Sequence, residues 1–228
     1  MCGIIGFNWE NKSLLRKMAD SIIHRGPDDA AYFVGGGISL GMRRLSIIDL
    51  KKGIYPMANE KKDIFLIFNG EIYNFQEIRD ALAKKNHTFR THCDAEVIVH
   101  AYEEYGSDFL KLLNGMYAIC IYDSRKKILF FARDRIGIKP LYYYCKDGRF
   151  IFASEIKAIL QHNIAASLEP KALVDYLAFQ NIMDEKTFFK DIYILLPGKY
   201  LIYNLKEKKM TISTYWDADF SKARKNKT

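Results

Sequence analysis

Residues 116–122 read Met-Tyr-Ala-Ile-Cys-Ile-Tyr, and after the charged run Asp123-Ser124-Arg125-Lys126-Lys127 the chain returns as Ile-Leu-Phe-Phe-Ala-Arg-Asp. Two short β-branched and aromatic runs joined by five polar residues predict a hairpin whose strands are apolar on both sides. A strand that is apolar on both sides needs cover on both faces. The same pattern recurs at 141–153, turning at Asp147-Gly148, and from Lys199–Leu205 to Met210–Tyr215; Asp63–Asn69 (DIFLIFN) is a further run. Asp-Gly is a favoured two-residue hairpin turn. Helical spacing intervenes at Phe75, Ile78 and Leu82, and at Val97, Ile98, Ala101, Tyr102 and Tyr105, where Gly106 is placed to end the helix. Further helices are predicted near Ser13–Ile23, Asp108–Leu113, Glu155–Gln161 and Lys171–Phe179. Hairpins without regular β–α–β alternation predict the α+β class, with two antiparallel sheets packed together and helices outside.

At 228 residues the chain is long enough for a sizeable core. We expect the folded unit to span residues 1–217, with 218–228 a basic tail that is disordered or begins a linker. Lys222, Arg224, Lys225 and Lys227 in that tail carry four of the eight net positive charges. The remaining +4 is ordinary, and the common nucleic-acid signatures are missing, so no nucleic-acid partner is expected. The chain has no apolar run long enough for a membrane helix and no secretory signal, which predicts a cytoplasmic protein without a membrane partner. The four cysteines, at 2, 93, 120 and 145, form no CxxC pair and no Cys/His ligand spacing, so we expect no metal site.

Five places carry chemistry. Cys2 follows the initiator methionine; removing Met1 leaves a thiol and a free α-amine on one residue, a nucleophile beside a base. A small buried cysteine opening a strand is the alternative. Asn69-Gly70 offers an amide and a backbone N–H for an oxyanion, or else a hairpin turn. Arg44 is suited to an α-carboxylate and Asp94 to an α-ammonium. Each has an ordinary reading too, as a surface arginine and a helix N-cap. His24-Arg25-Gly26-Pro27-Asp28 reads as a tight turn after a helix, with a buried ion pair as its ordinary role. Taken jointly, these residues point to a free amino acid with a side-chain amide as substrate.

The order MCGIIGF, HRGPD, RRLSIIDL, FNGEIYN, CDAEVI and RDRIGIKPLYY resembles the N-terminal glutaminase domain of asparagine synthetases. These are class II glutamine amidotransferases with the N-terminal nucleophile hydrolase fold. The resemblance runs from Met1 to about Asp217 and implies a four-layer αββα sandwich. It implies Cys2 as nucleophile with its own α-amine as base, and Asn69 and Gly70 as the oxyanion hole. Arg44 would hold the glutamine α-carboxylate, Asp94 with Glu71 the α-ammonium, and Leu45, Ser46, Ile47 and Ile48 would line the pocket. The sequence departs from the family at Asp29, where an aromatic residue is usual. It departs again at Thr91-His92-Cys93, where relatives often carry Thr-Gly-Ser or Thr-Asp-Ser.

The implied function is hydrolysis of L-glutamine to glutamate and ammonia through a Cys2 thioester, with a synthetase domain in cis or trans as the ammonia-receiving partner. A homodimer is also admissible. No SGGxDS loop of the synthetase half is present. ATP and Mg are therefore expected only for that missing half, with no cofactor in this chain, which would be a stand-alone glutaminase, a truncated product or an excised domain. Arg133 to Tyr143 resembles the family's segment near the domain interface and ammonia path, or is simply a strand and a Gly-Pro turn. Two other readings are a non-catalytic glutamine-sensing module and an amidotransferase domain serving another acceptor.

Overall fold

The computed structural model describes residues 2–45 and 55–220. Its elements are β1 (Gly3–Phe7), α1 (Lys12–Ser21), β2 (Asp29–Gly35), β3 (Ile38–Arg44), β4 (Met57–Ala58), β5 (Ile64–Ile72), α2 (Phe75–Ala83), α3 (Glu96–Tyr105) and α4 (Phe109–Leu112). There follow β6 (Gly115–Asp123), β7 (Ile128–Arg133), β8 (Tyr142–Lys146), β9 (Arg149–Ala153), α5 (Ile156–Ile159), α6 (Pro170–Phe179), β10 (Ile192–Ile194), β11 (Lys199–Asn204) and β12 (Lys209–Thr214). The three predicted hairpins form as read. At the β8–β9 turn Asp147 and Gly148 both take positive φ, 52° and 71°, as a type I′ turn requires.

The strands form two six-stranded sheets, β10-β8-β9-β1-β3-β2 and β12-β11-β7-β6-β5-β4, and their ladders are antiparallel. Successive side chains alternate between faces, and this sorts the apolar strands into three buried clusters. In β6 and β7, Tyr117, Ile119, Ile121, Phe130 and Ala132 face α2, α3 and α4. Their neighbours Ala118, Cys120, Tyr122, Leu129 and Phe131 meet Ile4, Leu40, Met42 and Phe152 of the other sheet. Ile5, Phe7, Ile151 and Ala153 turn outward again beneath α1 and α5. The expected αββα sandwich is what forms, because double-sided strands need a sheet on one face and helices on the other. No helix among the described residues is long and apolar enough to cross a membrane.

Strand β5 runs past the predicted end at Asn69 to Ile72, pairing Asn69 with Ala118 and Gly70 with Tyr117. Asn69-Gly70 is therefore a strand interior and not a hairpin turn. The reason is steric. A Cβ on Gly70 would lie 2.1 Å from the Met116 carbonyl oxygen, and one on Gly115 would lie 2.3 Å from that of Glu71. Only glycines at both places let the two backbones close this far along the ladder.

After β7 the chain wraps around a buried carboxylate. Asp134 accepts backbone N–H bonds from Tyr117 (3.2 Å), Ile136 (3.3 Å), Ile138 (2.9 Å) and Lys139 (3.0 Å). Arg133 donates to the carbonyls of Lys139, Leu195 and Gly137. This loop is held from inside by its own Arg-Asp pair. Asp134→Ala strands several buried donors at once, and each lost partner costs about 1–3 kcal/mol. We expect a loss of about 3 kcal/mol or more, seen as a melting temperature lower by roughly 6–12 °C in thermal unfolding followed by circular dichroism. The last strand ends at Thr214, and Tyr215 and Trp216 donate backbone N–H bonds to the Gly198 carbonyl. The basic run at 221–228 lies outside the described residues.

Candidate active site

Cys2 enters β1 at the centre of its sheet, and Arg44 ends the neighbouring β3. Gly70 and Glu71 lie in β5 of the other sheet, and Asp94 precedes α3. One pocket collects all five together with Leu45. Met42, Phe68, Tyr55 and Cys93 complete its wall; the sequence marked Cys93 only as a departure from the family beside Asp94, and the other three it did not disclose. Ser46, Ile47 and Ile48 lie outside the described residues.

The Cys2 Sγ donates to the Leu45 carbonyl at 3.7 Å, which holds the thiol against the end of β3. Asn69 is next to the pocket and 1% exposed. Alternation along β5 gives it the face of Ile67, in the inter-sheet core against which Cys2 also packs. Its Nδ2 has no hydrogen-bond partner among the described residues. A buried amide donor left unused is rare. The Gly70 N–H has a definite direction. The Tyr73 N–H bonds Asn114 across the ladder, while the Ile72 N–H turns the other way to Asp94 Oδ2 at 2.8 Å. N–H groups two residues apart on a strand point alike, so that of Gly70 lies on the Asp94 edge, beyond the reach of the two-residue β4.

Asp94 does not cap α3, whose N-cap is Ala95 with no side-chain bond. It accepts instead from Ile72 and from the Cys93 Sγ at 3.4 Å. Burial raises its pKa above the usual carboxylate value, and the nearby Glu71 charge adds to this against the hydrogen bonds it receives. Two carboxylates on one wall make a place for a cation. Burial likewise pushes the Cys93 thiol up to about 11, so this second pocket cysteine stays protonated at neutral pH.

The His24–Asp28 turn is a scaffold for both sides of the pocket, a role its sequence did not disclose. Arg25 Nε donates to the Cys2 carbonyl at 3.0 Å while its Nη1 pairs with Glu155 at 3.1 Å. Glu155 also meets His24 at 2.8 Å, so the turn carries an ion pair, part-exposed and made with a distant residue, that anchors the Cys2 backbone. A Cβ on Gly26 would lie 2.4 Å from the Arg44 nitrogen, and the Asp28 N–H bonds the Arg44 carbonyl. Turn and β3 are thus packed backbone to backbone. Ser154 fixes the other side of β1 by exchanging hydrogen bonds with Ile4.

Residues 1–216 match the family model described as a glutamine amidotransferase domain. The chain belongs to this family. Among glutamine amidotransferase relatives, it is 36% identical to asparagine synthetase [glutamine-hydrolyzing] 1 of Bacillus subtilis (strain 168), over 96% of this chain and 36% of the relative. It is 41% identical to asparagine synthetase [glutamine-hydrolyzing] 2 of the same organism, over 89% of this chain and 28% of that one. The chain thus spans about a third of the length of these two curated relatives. In fold it is similar to the glutamine phosphoribosylpyrophosphate amidotransferase of B. subtilis solved with ADP and GMP. That likeness has a TM-score of 0.66 at 18% identity, covering 94% of this chain and 49% of that chain.

Proposed function

We propose that this domain hydrolyses L-glutamine to glutamate and ammonia, with Cys2 as nucleophile once Met1 has been removed. The observation that carries the reading is the pocket itself, which joins Cys2, Arg44, Gly70, Glu71 and Asp94 from distant stretches of chain, beside an Asn69 Nδ2 with no hydrogen-bond partner among the described residues. Arg44 takes the substrate α-carboxylate, and Asp94 with Glu71 takes the α-ammonium. Leu45 and the following Ser46, Ile47 and Ile48 flank the side chain. The Cys2 α-amine accepts the thiol proton as sulfur attacks the side-chain amide carbon. The carbonyl π electrons move to oxygen, where the Asn69 Nδ2–H and the Gly70 N–H stabilise the oxyanion. Collapse of this intermediate breaks the C–N bond, the amine delivers its proton to the leaving nitrogen, and ammonia departs from a γ-glutamyl thioester. Water, deprotonated by the same amine, then attacks the thioester; glutamate leaves and the thiol is restored. None of these steps calls for a cofactor.

The ammonia serves an ATP- and Mg-dependent synthetase unit, in cis or in trans, that makes asparagine in the cytoplasm. Similarity to glutamine-hydrolysing asparagine synthetases supports this acceptor. The surface supports a docked partner: Val174, Leu177 and Phe179 of α6 are exposed, Leu177 by 74%, and a monomer rarely leaves such a patch bare. Glutamine-dependent release of ammonia and glutamate by the purified chain tests the reading. Normal glutamine binding without release would instead favour a sensing module.

Asp94→Asn keeps the acceptor for the Ile72 N–H but removes the charge. We expect glutamine KM to rise by roughly 10- to 100-fold, as for a lost charged hydrogen bond, with little change in melting temperature. The pH dependence follows from the raised pKa of Asp94. Only the ionised form holds an ammonium, so KM climbs as pH falls, beginning above the usual carboxylate range. For stability the sign is opposite: a raised folded-state pKa contributes stability at low pH that is lost as pH rises through it. Steady-state kinetics across pH should show the acid limb of KM in the parent and a weaker one in Asp94→Asn, where Glu71 is the remaining carboxylate on the ammonium.

A further inference from the structure

Outside the pocket, four side chains from three stretches of chain converge. Glu60 follows β4, His87 follows α2, and His100 and Glu103 lie one turn apart on α3. One donor atom from each lies within 4.8 Å of all the others. His100 is 1% exposed, and its ring nitrogens make no well-aligned hydrogen bond among the described residues, having only carboxylates at 3.4 and 3.9 Å. A buried imidazole left so costs stability unless something else occupies it.

Both rings are oriented alike. The Nδ1 atoms face the Glu60 carboxylate, at 3.4 Å for His100 and 3.7 Å for His87. The Nε2 atoms face outer carboxylates, Glu96 at 3.9 Å from His100 and Glu104 at 3.5 Å from His87. Those outer groups are themselves held, Glu104 by Lys85 and Glu96 by the N–H groups of Arg90 and Thr91. An inward ring nitrogen with a carboxylate behind the outward one is the arrangement of a metal-binding histidine, whose second nitrogen is fixed by an acid. Glu103 adds a fourth donor, steadied by Asn59 at 3.0 Å, with Arg125 facing its other oxygen at 3.6 Å.

We propose that Glu60, His87, His100 and Glu103 bind one divalent transition-metal cation of the zinc class. Two imidazoles and two carboxylates suit zinc and its neighbours and select against calcium and magnesium, which take oxygen ligands. Four protein donors close a tetrahedral shell, so the site is structural and takes no part in glutamine hydrolysis. Donors about 2.0–2.2 Å from one ion sit roughly 3.3–3.6 Å apart. The cluster therefore tightens by about an ångström on binding; Glu60 has its Oε1 held by the Thr88 N–H at 2.9 Å and offers Oε2, which already faces His100 Nδ1 at 3.4 Å. The ion ties the turn after β4 and the end of α2 to α3. Through Glu96 it also secures the Arg90–Thr91 segment that leads to Cys93 and Asp94.

Chain stripped with a chelator and dialysed against zinc chloride should bind one equivalent of zinc and melt at a higher temperature. His87→Ala and Glu60→Gln, which spare the buried ring of His100, should each lose both the equivalent and the shift. Glu104→Gln should weaken binding by roughly 10- to 100-fold, as for a lost outer carboxylate. A Cys2→Ala/Cys93→Ala double variant should bind zinc like the parent, and its cobalt derivative should show tetrahedral bands without sulfur charge transfer. Zinc bound equally by the parent and by both cluster variants would overturn the proposal, as would sulfur charge transfer that vanishes with the cysteines or no stoichiometric binding by the parent.

Discussion

Cys2→Ala abolishes glutamine-dependent release of glutamate and ammonia while the protein keeps its fold. The prediction follows from the separation of the two roles of Cys2. Its backbone is fixed by Arg25 through the carbonyl oxygen and by the ladder that continues through Gly3 and Arg43, and both survive loss of the sulfur. Among the described residues the thiol makes one weak bond, to the Leu45 carbonyl, so removing it changes packing by about the size of one small side chain. Catalysis has no substitute, because Cys93, the other thiol in the pocket, is protonated at neutral pH. Activity should fall to the background of the assay, with an unchanged circular dichroism spectrum. Retained activity would remove Cys2 from the mechanism.

Asn69→Ala is expected to lower kcat by roughly 10²–10³ and to leave glutamine KM nearly unchanged. An oxyanion donor acts where charge develops in the transition state, so its loss appears in kcat. The same substitution should not destabilise the protein by the usual cost of a broken buried hydrogen bond, since Nδ2 makes none among the described residues. In the proposed mechanism this unused donor is what the oxyanion takes up. Kinetics and thermal unfolding on one preparation check both halves. A stability loss equal to that of an ordinary core truncation, or a KM effect without a kcat effect, would place Asn69 in the scaffold instead.

The fold was legible in the sequence because its strands are apolar on both faces. That pattern admits few arrangements, and Ala118, Cys120 and Tyr122 against Tyr117, Ile119 and Ile121 sort themselves onto two cores by alternation alone. The pocket was legible in part. Cys2, Arg44, Gly70, Glu71 and Asp94, singled out by residue type and motif, line one pocket. The work of Arg25 and Gly26 was not, because binding a carbonyl 23 residues away and packing on the backbone of β3 are contacts between distant segments. Neither leaves a periodicity or a spacing to read. The reach of β5 to Ile72 was hidden likewise, since it depends on two glycines in different strands. Of the histidine–glutamate cluster only the i, i+3 spacing of His100 and Glu103 on α3 could be read, as His87 and Glu60 come from other stretches of chain.

Incubating the purified chain with a chloroketone or diazo analogue of glutamine, then mapping the adduct by peptide mass spectrometry, tests the central claim. The expected result is a single adduct on Cys2, on an N-terminal peptide that has lost Met1, formed in step with the loss of activity and blocked by glutamine. An adduct on Cys93, or inactivation of a chain whose first residue is still methionine, would contradict it.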